Sequence, residues 1–193
     1  MPDHMERLPT STTPARGAEP GFTLIELLVT MVVAGILVAI AVPAFNNFVL
    51  NDRDIGQVNS LVGSLNYARS EAVKRASPTG VTVCPTADGQ TCTNSTDWSG
   101  GWVVVDPNNA DCTTPPCTLQ SIPAMAGSNR LTGTAATGIT FSSSGQASAP
   151  LTIRVCDTRG ATFARSVEVN ATGRVAASQK PGNSVNGTAL TCP

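Results

Sequence analysis

From Leu27 to Phe45 the chain reads LLVTMVVAGILVAIAVPAF, 19 residues without a charge. About 20 apolar residues in a helix span the hydrocarbon core of a bilayer. So uniform a run does not suit the buried core of a chain of 193 residues in which Gly, Ser, Thr and Ala abound and aromatics are 4%. It is read as a membrane helix. A single carboxylate, Glu26, stands immediately before it, within GFTLIELL (21–28). Pro20 and Gly21 break any helix ahead of Phe22, so an accessible, extended peptide precedes the membrane segment. The segment does not read as a standard secretory signal. The preceding MPDHMERLPTSTTPARGAEPG has mixed charge rather than a compact basic region, the apolar run is too long, and no A-x-A site follows it directly.

Past the membrane segment the pattern becomes amphipathic. Ile55, Val58, Val62, Leu65, Ala68, Ala72 and Ala76 recur at spacings of three and four, with Arg53, Asp54, Arg69, Glu71, Lys74 and Arg75 elsewhere. This predicts one helix from Phe22 to Ala76, half in lipid and half packed on a domain, ended by Ser77-Pro78-Thr79-Gly80. Runs at 81–84, 102–105, 138–141, 151–156, 163–169 and 174–177 are rich in Val, Ile, Thr and Phe and read as short strands. The last two form a hairpin turning at Gly173. The fold class is α+β: a long N-terminal helix on a small antiparallel β-domain. The expected divisions are a leader at 1–21, a membrane segment at 22–50, an amphipathic helix at 51–78 and a disulfide-rich β-domain at 79–193.

All six cysteines lie in that last division, at 84, 92, 112, 117, 156 and 192. An even number in a small, loop-rich domain points to disulfides and an oxidising compartment. Zinc is the rival, but the single histidine is His4 and no CxxC occurs. Short loops favour Cys84–Cys92 and Cys112–Cys117, which leaves Cys156–Cys192 to fasten the C-terminal tail. Charge is uneven. Four acids and no base lie between Val81 and Asn129, against six bases and two acids from Arg130 onward, within a net charge of −1.

GFTLIELL followed by an apolar helix resembles the signal of type IV pilins and type II secretion pseudopilins. The resemblance implies cleavage between Gly21 and Phe22 and N-methylation of Phe22 by a prepilin peptidase. Pro43 falls where many pilins carry a helix-kinking proline. An intramembrane carboxylate is costly unless paired. In pilins the residue corresponding to Glu26 meets the free α-amino group of a neighbouring subunit and sets axial register. The alternative is a carboxylate snorkelling from the first helical turn, where it suits the helix dipole. YARSEAVKR (67–75), ITFSSSGQ (139–146), IRVCDTRG (153–160) and VEVNATGRV (167–175) are similar to the GspH/FimT family of minor pilins and pseudopilins. The similarity is weakest from 85 to 135, where an acidic, Cys- and Pro-rich insert is expected to form stapled loops. Cys156 and Cys192 resemble the FimU branch of that family.

No catalytic site is legible. Without a histidine beyond the leader, Ser-His-Asp and Cys-His arrangements are excluded, and no phosphate-binding or zinc-binding motif occurs. DPNNAD (106–111) resembles a calcium loop only faintly, since its sixth position is Asp111 rather than Gly and no Glu closes it. No cofactor or metal is expected. Three functions follow from the resemblance. The first is a minor type IV pilin in pilus assembly and initiation, anchored once in a bacterial inner membrane with a periplasmic C-terminal domain. The second is a type II secretion pseudopilin of the H type. The third is a DNA receptor, because FimT-like pilins are implicated in DNA binding around a C-terminal Gly-Arg-x-Arg motif. Gly173-Arg174-Val175-Ala176 keeps the first arginine of that motif and lacks the second. Arg154, Arg159, Arg165, Arg174 and Lys180 form the candidate phosphate-binding patch, against the alternative of solvated arginines on a hairpin. Partners implied are other pilin subunits, the prepilin peptidase and membrane lipid.

Overall fold

The structure is a computed structural model that describes residues 21–107, 117–124 and 127–193. The apolar and amphipathic stretches form a single helix, α1 (Leu24–Lys74), slightly shorter at both ends than the predicted span. At its start the Glu26 N–H donates to Thr23 Oγ1 at 3.2 Å, an N-cap that leaves Phe22 outside the helix. At its end the Ser77 N–H donates to the Ala72 carbonyl and the Ala76 N–H to that of Val73, a Schellman motif. Ala76 takes the left-handed position of that motif, with φ of 47°. Without glycine this conformation costs about 1 kcal/mol.

The chain divides into two units, Met1–Phe45 and Asn46–Pro193. In the first, every described residue from Gly21 onward is exposed, and by length and composition the helix is apolar enough to cross a membrane. The leader expected over 1–21 lies outside the described residues except for Gly21.

In the second unit the chain builds two four-stranded antiparallel sheets. β1 (Val81–Pro85), β2 (Gly101–Val105), β3 (Thr118–Pro123) and β5 (Ile139–Phe141) make one, in the order β3-β2-β1-β5. β4 (Arg130–Gly133), β6 (Leu151–Cys156), β7 (Arg165–Val169) and β8 (Val175–Ala177) make the other, in the order β4-β6-β7-β8. A single core draws on both sheets and on α1. Leu61, Leu65 and Ala68 of the helix meet Val81, Val83, Trp102 and Phe141 of the first sheet and Leu151, Ile153 and Val167 of the second. Alternation along β6 (Leu151, Ile153 and Val155 in; Thr152 and Arg154 half-exposed) shows how the strand period sorts side chains. The β7–β8 hairpin turns at Gly173, whose φ of 77° favours glycine.

Two expectations need correction. Besides the strand expected at 102–105, the segment from 85 to 135 holds two that were expected to be loops, β3 and β4. TLQSIP and RLTG have little apolar patterning of their own and become strands by main-chain pairing with β2 and β6. The buried stripe of the helix is also rotated from the predicted one. It runs through Asp54, Gln57, Val58, Leu61, Ser64, Leu65, Ala68, Glu71 and Ala72, whereas Ile55 and Ala76 are exposed. The apolar pattern alone misplaced the stripe because Asp54 and Glu71 turn inward to side-chain partners.

Candidate functional site

The first candidate region is the start of α1. Thr23-Leu24-Ile25-Glu26 is a capping box: Thr23 Oγ1 accepts from the Glu26 N–H, and Glu26 Oε2 accepts from the Thr23 N–H at 3.5 Å. The sequence reading missed this role of Thr23, although T-x-x-E before an apolar run is its signal. The Gly21–Phe22 peptide lies just outside the helix, and Phe22 is 84% exposed. Glu26 therefore combines a helix-initiating contact with an exposed carboxylate beside an accessible peptide bond. From Leu24 to Phe48 the helix presents Leu24, Ile25, Met31, Ile36, Leu37, Ile40 and Phe45 outward. Pro43 sits within this stretch.

The second region joins α1 to the β-domain, inside the second unit. Arg159, in the loop after β6, points its guanidinium at the helix. Nε donates to Asp157 Oδ2 at 2.6 Å, Nη1 to Asn51 Oδ1 at 2.9 Å, and Nη2 to Asp54 Oδ2 at 3.2 Å. Asn129 Nδ2 donates to Asp54 Oδ1 at 2.7 Å and to Gln57 Oε1 at 2.9 Å. Burial, then the charge of Asp157, pushes the Asp54 carboxyl up to about 6, with Arg159 opposing. Phe163 stacks on Arg159 with its ring centre 4.3 Å from the guanidinium carbon.

A third contact ties separate loops to the same helix. Arg69 Nε donates to the Gly145 carbonyl at 2.9 Å, and Nη2 donates to the Thr172 carbonyl at 3.4 Å. The Ala147 N–H donates to the Ala171 carbonyl. A side chain on Gly173 would strike the Gly145 carbonyl, so glycine is required there for space as well as for φ. Three of the four segments that carried the sequence resemblance meet here: YARSEAVKR supplies Arg69, and ITFSSSGQ and VEVNATGRV supply its acceptors. The fourth, IRVCDTRG, supplies Asp157 and Arg159 to the separate cluster at Asn51 and Asp54. Each is a fastening between helix and sheets. Further along, Glu71 binds Arg75 at 2.6 Å and Lys74 at 3.5 Å. Its hydrogen bond from Arg75 holds its carboxyl below the usual range.

Disulfides join Cys84 to Cys92 and Cys156 to Cys192, with Cα separations of 5.4 and 5.9 Å. Cys112, and with it the expected Cys112–Cys117 pair, lies outside the described residues, as does the DPNNAD stretch from 108 onward. The second bond holds the C-terminal tail to β6. There Arg154 Nη1 donates to the Thr191 carbonyl and hydroxyl, and the Val185 N–H donates to Glu168 Oε1 at 2.9 Å.

The basic residues do not share one face. Arg159 is 11% exposed and ion-paired. Arg154 and Arg165 fall on opposite sides of the second sheet, since Arg154 pairs with Ser166 and Arg165 with Val155. Arg174 borders a shallow recess with Thr152, Glu168 and Asn170, and Lys180 lies in the turn after β8. Among the described residues no group of three His, Cys, Asp or Glu is placed to hold a metal ion.

Residues 57–173 match the family described as type II transport protein GspH, and residues 17–42 match the prokaryotic N-terminal methylation motif. No curated protein matches the chain at a significant level. Among solved structures, the type IV minor pilin FimU of Pseudomonas aeruginosa (strain PAO1) is 21% identical, with a TM-score of 0.51 over 67% of this chain and 90% of that one. The minor pseudopilin EpsH from the Type 2 Secretion System of Vibrio cholerae is 13% identical, with a TM-score of 0.44 over 65% of this chain and 95% of that one. At such identity the likeness to FimU establishes a shared fold.

Proposed function

The chain belongs to the family of the type II transport protein GspH, and on that premise we propose that it is a minor type IV pilin acting in pilus assembly and initiation. A prepilin peptidase cleaves between Gly21 and Phe22 and methylates the new N-terminus. The helix anchors the subunit once in a bacterial inner membrane, with the β-domain in the periplasm. Other pilin subunits cover the apolar helix in the filament, and Glu26 pairs with the α-amino group of a neighbour. One observation carries this reading: an apolar helical surface that none of the described residues covers, opening beside an accessible Gly21–Phe22 bond and holding Glu26 as its only charge before Asp52. An intramembrane carboxylate of that kind calls for a partner.

Intact mass and N-terminal sequencing of membrane-extracted protein test the proposal. A chain beginning at N-methylated Phe22 is expected. A chain that keeps its leader in cells with an active prepilin peptidase would leave a single-pass anchored β-domain and end the pilin reading.

The family's own description favours a second reading, a pseudopilin of a type II secretion system. Loss of protein secretion with intact pili in a deletion strain would select it. A DNA-receptor role has less support, because Arg159 is buried in ion pairs and Arg154 is bonded to the tail.

A further inference from the structure

The β-domain buries a charge imbalance where α1 meets the loop after β6. Asp54 is 1% exposed, and the side chains of Asp157 and Arg159 are 0% and 11% exposed. Two carboxylates thus face one guanidinium. The groups around Asp54 are Asn51 and Gln57 from its own helix, Asn129 from the segment before β4, and Asp157 and Arg159 from the loop. Of these only Asp157 and Arg159 carry charge. Both carboxylates lie against the same nitrogen, Arg159 Nη2. Like charges buried so close together disfavour joint ionisation, and one proton held by the pair relieves the imbalance. With that proton the cluster is neutral. Without it a net negative charge is buried.

We propose that Asp54, Asp157 and Arg159 form a proton-held latch that fastens residues 47–57 of α1 to the 157–163 loop and loosens when both carboxylates ionise. The latch grips the helix where it leaves the apolar stretch, because Arg159 Nη1 also reaches the Asn47 carbonyl at 3.5 Å. The direction of the pH response follows from linkage. The carboxyl of Asp54 lies at about 6 in the folded chain, above its ordinary value of 3.8. The latched state therefore binds more protons than the open one. Its advantage is complete below the lower value and is lost as pH rises toward the upper one.

Hydrogen–deuterium exchange of the full-length protein in detergent micelles, at about pH 5 and pH 7.5 and corrected for intrinsic exchange chemistry, reads this directly. Between those conditions the opening equilibrium of peptides covering 47–57 and 157–163 is expected to rise about tenfold, while β1 and β2 serve as an unmoved reference. Asp54→Asn should remove the step and leave both segments protected at either pH. Asp157→Asn provides the second variant should the first fail to fold. A wild-type protein with no step, or a step that survives in the folded variant, overturns the latch.

Discussion

Helix α1 contains two stretches with opposite relations between polarity and burial. From Leu24 to Phe45 nearly every side chain is apolar, and every one is exposed. From Asp54 to Ala72 nine residues are buried, and Asp54, Gln57, Ser64 and Glu71 are among them. Apolarity fixes only that a surface needs a partner. It does not fix whether the partner belongs to the same chain, and here the described residues supply one only to the second stretch. Conversely, polar side chains can be buried where others converge on them, as Arg159 and Asn129 do on Asp54 and Arg75 does on Glu71. The first stretch is left uncovered by the described residues, and the second holds a domain together.

Substitutions in the two stretches should separate accordingly. Both tryptophans of the chain, Trp98 and Trp102, are buried in the β-domain, so their fluorescence during denaturant unfolding in micelles reports that domain alone. Arg159→Ala should have the largest effect, a loss of about 3–5 kcal/mol, because it leaves the buried Asp54–Asp157 pair without its cation. A loss below about 1 kcal/mol would mean that solvent reaches the cluster and that burial of charge is not what the second stretch is built around.

Next comes Leu61→Ala, which removes a fully buried side chain from the core shared by both sheets. It should cost about 2–4 kcal/mol, while Leu37→Ala on the exposed stretch should stay within about 0.5 kcal/mol in the same assay. Equal costs for the two leucines would erase the contrast.

The smallest effect on stability belongs to Glu26→Ala. Loss of the exposed capping-box carboxylate should change domain unfolding by less than about 0.5 kcal/mol, yet incorporation into filaments should fail in cells lacking the wild-type gene. Normal incorporation, scored by immunoblotting of sheared filaments, would assign Glu26 to helix initiation alone.

Much of this arrangement can be read from local patterns. The uncharged run from Leu27 to Phe45, the position of Glu26 and the break at Pro20-Gly21 are properties of consecutive residues. So are the six apolar strands and the turn at Gly173. The pairs Cys84–Cys92 and Cys156–Cys192 also agree with the spacing argument. β3 and β4 were not legible, because TLQSIP and RLTG are held by the main chains of their neighbours rather than by their own side chains.

An apolar helix needing company, a β-rich domain and a stapled tail can all be read from the order of residues, since hydrophobic period and residue spacing act over short distances. Which face of the helix turns inward, and which charges are internal, follows from long-range packing. Asp54 lies 105 positions from Arg159, and Arg69 lies 76 from Gly145 and 103 from Thr172. Contacts at such separations leave no periodic trace along the chain. They exist because two sheets and a helix close on one core, and that closure converts residues that read as surface charge into the fastenings of the domain.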